Sequence, residues 1–182
     1  MKYNLDRILE RIAAGERPKY VFFWGHQKSK DGSTTKSCFS QWWEQPFEIE
    51  GIEYKSAEHW MMAEKARLFK DEEVLSQILL ASSPAEAKKL GRKVRQFEQT
   101  TWETHRYEIV KKGNVHKFAQ IPELKEFLLN TASRVLVEAS PYDRIWGIGL
   151  TQDAEGIEHP MNWKGLNLLG FALMEVRDIL QE

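Results

Sequence analysis

Five helix start signals follow one another between residues 56 and 122, and they commit this stretch of the chain to helices. Ser56 precedes Ala57-Glu58 and Asp71 precedes Glu72-Glu73. Ser83-Pro84-Ala85-Glu86 combines a capping serine, a proline at the first helical position and the glutamate of a capping box. Thr100-Thr101-Trp102-Glu103 has the form of another capping box, and Pro122 opens one more segment. The pattern predicts helices over about 57–69, 72–80, 84–91, 100–119 and 122–131, with Gly113 a weak point in the fourth. A short helix over 5–14, capped by Asn4, and a strongly periodic one over 166–180 lie outside this run. Strand signals are few. Tyr20 to Trp24 and Arg134 to Glu138 are β-branched or aromatic, and two three-residue arms around Glu50-Gly51 read as a tight hairpin. Residues 26–37 read as a polar loop and 139–162 as a long irregular segment. The expected fold is therefore mainly α: a single multihelical domain over 1–182 with a few short β-strands.

Composition narrows the function classes. The chain has 182 residues and a net charge of −1, which argues against holding nucleic acid mainly by phosphate neutralisation, though not against a pocket for one nucleotide. A single cysteine, Cys38, excludes an intramolecular disulfide and a cysteine-rich zinc site. No apolar run reaches the ~18 residues of a membrane span. The first fifteen residues are charged and amphipathic, unlike a signal peptide, so a cytoplasmic location is expected. The seven tryptophans stand out, many beside turn signals or charged residues, which suggests a stacking site as well as a core.

Glu58 falls in the first turn of its helix, where the dipole and free amides favour a carboxylate. Such a residue is commonly just a dipole partner on a wet surface. Lys65 lies two turns further along the same face, so the two form either a solvated pair or an acid and an amine aimed at one ligand. His59 has no second histidine at metal-binding spacing and reads better as a capped or packed residue. His105 and His116 share a helix face as surface or interhelical residues. Trp102 is either a core residue or a stacking platform for a base or sugar. In Ser140 to Gly149, Asp143 can make a turn, and Gly147 and Gly149 flank Ile148, a spacing that lets backbone amides approach a ligand oxygen. Asn167, at the start of the last helix, can cap it or bind a ligand. No P-loop, dinucleotide fingerprint or serine or cysteine nucleophile signal occurs.

These residues carry a resemblance when taken in order. Phe22-Phe23-Trp24, Cys38-Phe39-Ser40-Gln41-Trp42, Ser56-Ala57-Glu58-His59-Trp60 with Lys65, Ser82-Ser83-Pro84 through Gly91-Arg92 and Trp102 recur with their order kept. So do Asn114 to Phe118, Leu136-Val137-Glu138, Asp143 with Trp146-Gly147-Ile148-Gly149, and Gly165 through Gly170 to Arg177. Over about 20–180 the chain resembles the NADAR, or YbiA-like, family. The resemblance implies a multihelical fold and cleavage of N-glycosidic bonds to ribose; no metal or redox cofactor is expected, since no metal-ligand spacing is present. The substrates it implies are phosphorylated ribosylamino-pyrimidine intermediates of riboflavin biosynthesis or, alternatively, ADP-ribose attached to guanine bases of nucleic acid or nucleosides. It places the functional acid at Glu58, the tryptophan at Trp102, the late aspartate at Asp143 and an imine-forming lysine at Lys65. It draws in Trp24, Gln41, Trp42, His59, Trp146, Gly147, Gly149 and Asn167 as substrate contacts, with Arg92 and Lys117 as candidates for a phosphate. Riboflavin-linked members carry asparagine where Gln41 stands, and the polar insertion before Cys38 also differs. Two other classes remain open beside the enzyme: a module that binds ADP-ribose or a nucleotide without turnover, and a helical interaction protein.

Overall fold

The computed structural model describes residues 1–181. In chain order the elements are α1 (Leu5–Ala13), β1 (Tyr20–Phe23), β2 (Phe47–Ile49), β3 (Ile52–Tyr54), α2 (Ala57–Leu68), α3 (Glu72–Leu80), α4 (Pro84–Gly91), α5 (Gln99–Gln120), α6 (Pro122–Leu129), β4 (Val135–Glu138) and α7 (Leu168–Gln181). Short 3₁₀ turns occupy Lys36–Phe39 and Pro160–Asn162. The fold is mainly α with a few short strands, as the capping signals require. It falls into two compact units, one formed by Met1–Ser40 with the chain from Lys125 onward, the other by Gln41–Leu124.

The second unit is built around α2. Ser56 caps it, accepting from His59 N–H, and every side chain from Ala57 to Ala63 is buried. A helix buried on every side over its first two turns must be enclosed, and α3, α4 and α5 pack against it. Asp71 caps α3 through Val74 N–H and also holds Arg95, with Nη2 to Oδ1 at 2.5 Å and Nε to Oδ2 at 3.0 Å. Ser83 caps α4, and Glu86 reaches back to the N–H and hydroxyl of Ser82. The β2–β3 hairpin pairs antiparallel, Phe47 with Tyr54 and Ile49 with Ile52, and Glu50 takes the left-handed turn conformation at φ 54°.

Two expectations about α5 are corrected. The helix starts at Gln99, and its cap is Glu98 rather than a threonine: the Glu98 carboxylate accepts from the N–H groups of Thr100 and Thr101 and from the Thr101 hydroxyl. A carboxylate satisfies two orphan amides at once, which one hydroxyl cannot. Gly113 is not a weak point. A Cβ there would lie 2.6 Å from Trp60 Nε1, so glycine is what lets the indole lie against α5 and donate to Ile109 O at 2.7 Å.

In the first unit β1 and β4 pair in parallel, Tyr20 beside Val135 through Phe23 beside Glu138. The pair ends at Phe23, so Trp24 lies outside the strand. α7 packs on β4, and its residues from Leu168 to Arg177 are all buried. α7 begins two residues later than its periodicity suggests. Asn167 stands before it at φ 53°, and its side chain bridges to β4, accepting from Glu138 N at 3.0 Å and donating to Leu136 O at 2.9 Å.

Candidate active site

Glu58 is 2% exposed in the first turn of α2. Its N–H donates to Gln41 O at 2.9 Å, which ties the helix start to the segment before β2. The buried Gln41 carboxamide in turn pairs both ways with Asn114 of α5, at 3.3 and 3.4 Å, and Asn114 also donates to Val110 O. Gln41 thus links the start of α2 to the interior of α5 through Asn114, a contact that spacing alone does not single out. His59 is packed. Its Nε2 meets Ala81 O, which can only accept, so that nitrogen carries the proton and Nδ1 accepts from the Ser56 hydroxyl at 2.8 Å. Burial pushes its pKa down, keeping it neutral.

Lys65, two turns along α2, is half-buried. Its Nζ lies 4.2 Å from the centroid of Phe97 and 5.7 Å from that of Trp102. Burial, followed by the like charge of Arg92, lowers its pKa. Trp102 is itself buried, as the core reading expects, and its ring lies near the Lys65 amine. Phe97, 40% exposed, was not flagged by the sequence because it sits in a polar run with no periodicity. Arg92 is exposed at the C-cap of α4. Lys117 is fully buried on α5, unlike an open phosphate contact, with its Nζ 5.2 Å from the Phe118 ring. Trp42 is half-buried and lies 5.6 Å from Lys88 Nζ.

The first unit carries the remaining candidates. Trp24 is 48% exposed and tilts against Tyr142, 86% exposed, at 6.2 Å between centroids. Beside them Asp143 makes the turn foreseen as one of its readings: Oδ1 accepts from Ile145 N at 2.8 Å and Trp146 N at 2.7 Å. Two of the amides in this stretch are already engaged. Ile148 N donates to Glu138 O at the end of β4, and Gly149 N to Asp143 O within the loop. Gly147 is small for packing reasons, since a Cβ would lie 2.8 Å from Glu138 O. Asn167 is fully buried, with its carboxamide given to β4.

Among the described residues no group of three His, Cys, Asp or Glu side chains is placed to hold a metal ion, and no helix is long and apolar enough to cross a membrane. The family rests on comparison of the whole chain with known proteins. The chain belongs to the NADAR family, whose domain model matches residues 22–181, and it is of the N-glycosidase class, hydrolases acting on N-glycosyl compounds. An N-glycosidase of Acanthamoeba polyphaga mimivirus is 44% identical over 173 residues, 92% of this chain and 99% of that protein. The N-glycosidase YbiA of Escherichia coli is 33% identical over 144 residues, 79% of each chain. The NMR structure of Escherichia coli YbiA matches with a TM-score of 0.72 at 30% identity, covering 91% of this chain and 87% of that one.

Proposed function

We propose that the substrate is a phosphorylated ribosyl N-glycoside and that α2 carries the groups that cleave it. The observation behind this reading is the pairing, on one helix, of buried Glu58 with a Lys65 amine held against Phe97 and Trp102. Breaking a ribosyl C–N bond builds positive charge on the anomeric carbon and ring oxygen. The Glu58 carboxylate stabilises that charge. Lys65 Nζ attacks the anomeric carbon; the C–N bond breaks, and the departing base takes the proton that the amine loses. The ring then opens to an imine, and water adds to it, releasing the sugar and the free amine. Trp102 stacks on substrate, and Arg92 holds phosphate. In this reading Asp143 contributes both its charge and the shape of its loop. We take the functional domain as one, over about 20–180, working in the cytoplasm without a cofactor.

The phosphorylated ribosylamino-pyrimidines of riboflavin biosynthesis are the first substrate class in this proposal, and ADP-ribosylated guanine is the second. A panel of both, with product separation by chromatography, decides between them. Free ribose 5-phosphate identifies the first and free ADP-ribose the second. Saturable binding of either without product leaves a binding module.

A further inference from the structure

The first unit carries a continuous groove lined by none of the residues assigned above to the active site. It has two lobes of about 590 and 440 Å³ that share Arg11, Ala132 and Ser133. The first adds Arg177, and the second adds Arg17, Lys19 and Arg134. Only two carboxylates line the groove, and both are engaged. Glu16 accepts from Arg11 Nη2 at 2.8 Å, and Asp178 accepts from Lys2 Nζ at 2.6 Å and from the Tyr3 hydroxyl at 2.8 Å. Arg17, Lys19, Arg134 and Arg177 therefore line the groove with no carboxylate at ion-pair distance among the described residues.

Arg177 is the informative member. Its side chain is buried, with the residue 3% exposed, and its Nη1 donates to two neutral acceptors, Thr131 Oγ1 at 2.8 Å and Arg134 O at 2.9 Å. The carboxylate that attracts it, Asp178, lies beyond ion-pair distance and is engaged by Lys2 and Tyr3, so the desolvation of this buried guanidinium is only partly offset. Arg134 has a local use as well, since its Nη1 donates to Asn130 O and Thr131 O at the end of α6. Helix capping does not account for exposed Arg17 and Lys19, which lie on the segment between α1 and β1. In a chain whose net charge is −1, this grouping is a local excess.

We propose that the groove binds paired phosphate groups, one in each lobe. Arginine forks match phosphate oxygens geometrically, and the lysine adds a mobile point charge. The phosphodiester backbone of a nucleic-acid strand and a small diphosphate share this chemistry. The proposal is independent of the glycosidase reading, because a small N-glycoside need not reach the groove.

The test uses the full chain and the double variant Arg17→Ala/Lys19→Ala, whose side chains are exposed and whose melting should match wild type. Binding of a fluorescein-labelled short oligothymidylate is followed by anisotropy between 50 and 200 mM salt, and binding of pyrophosphate by calorimetry. If the backbone is the ligand, the oligonucleotide binds wild type, the variant binds at least about tenfold more weakly, and its log–log salt slope is shallower by about 1.4. Pyrophosphate binding with the same dependence on Arg17 and Lys19, and no oligonucleotide binding, assigns the groove to a small diphosphate. The proposal is overturned if neither probe binds, or if every probe that binds does so equally well to the double variant. Turnover of a small N-glycoside should be unchanged in the variant, which separates failure here from failure of the glycosidase reading.

Discussion

Lys65 Nζ sits 4.2 Å from the Phe97 ring centroid, with Trp102 behind it at 5.7 Å. The rings attract an ammonium by about 0.5–1 kcal/mol. Burial and the charge of Arg92 act the other way, lowering the pKa from the ordinary 10.5. The result is an amine closer to its free base near neutrality than a surface lysine.

The sign of the pH dependence follows. If the neutral amine is the nucleophile, the rate rises with pH through the Lys65 pKa, and the rising limb lies below 10.5. Arg92→Gln removes a repulsive charge, raises that pKa and moves the limb to higher pH. If Lys65 serves only as a cation, the rate falls with pH over the same range. Borohydride added during turnover should trap a sugar adduct that peptide mass spectrometry locates on Lys65 and that is absent in Lys65→Ala.

Gly113→Ala should destabilise the protein although alanine is the better helix former. The helix gain is at most about 1 kcal/mol. Against it stands overlap with the Trp60 indole, and overpacking of this kind costs about 1–3 kcal/mol. With a Cβ 2.2 Å from Trp60 Cδ1 the overlap falls at the upper end of that range, and denaturant unfolding should show a net loss of about 1–2 kcal/mol. Stability equal to wild type or higher would mean that Trp60 does not hold its place against α5.

Asp143→Asn keeps an oxygen for Ile145 N and Trp146 N, whereas Asp143→Ala keeps none. Thermal melts should therefore show little change for the first and a loss of about 1 kcal/mol for the second. Activity should fall at least about tenfold in both, because the charge is part of the proposed role. Full activity in Asp143→Asn would reduce Asp143 to shaping the loop.

His59 makes acid stability predictable. Its folded pKa is depressed by burial, so the unfolded chain binds the proton more readily. The stability it contributes is present above its ordinary pKa of 6.5 and is lost as pH falls from there through the folded value. Melting temperatures between pH 7.5 and 5 should decline more steeply in wild type than in His59→Gln, which lacks the imidazole at this position.

Local chemistry was legible in the sequence and long-range chemistry was not. Ser56, Asp71, Ser83-Pro84 and the Glu50-Gly51 turn announce themselves because a cap or turn acts within four residues. The parallel pairing of β1 with β4 spans more than a hundred residues and leaves no local period. The same holds for Asn167, whose partners Leu136 and Glu138 lie some thirty residues away, and for the Gln41–Asn114 pair. Glu98 was passed over because the threonines after it mimic a capping box. Gly113 looks like a weak point because helix propensity says nothing of the tryptophan that needs its space. In the site, Glu58 and Lys65 were legible as residues sharing one helix face. Phe97, which completes the surroundings of the amine, was not.

The most direct measurement is the release of free sugar by wild type and by Glu58→Gln on the same phosphoribosyl substrate, with unfolding curves for both. Glutamine keeps the size of this buried side chain and removes its charge. The account predicts a folded variant whose sugar release falls by at least about a hundredfold, roughly 2.7 kcal/mol of transition-state stabilisation. A folded Glu58→Gln that releases sugar within about tenfold of wild type would contradict the role assigned to Glu58, and with it the proposed site.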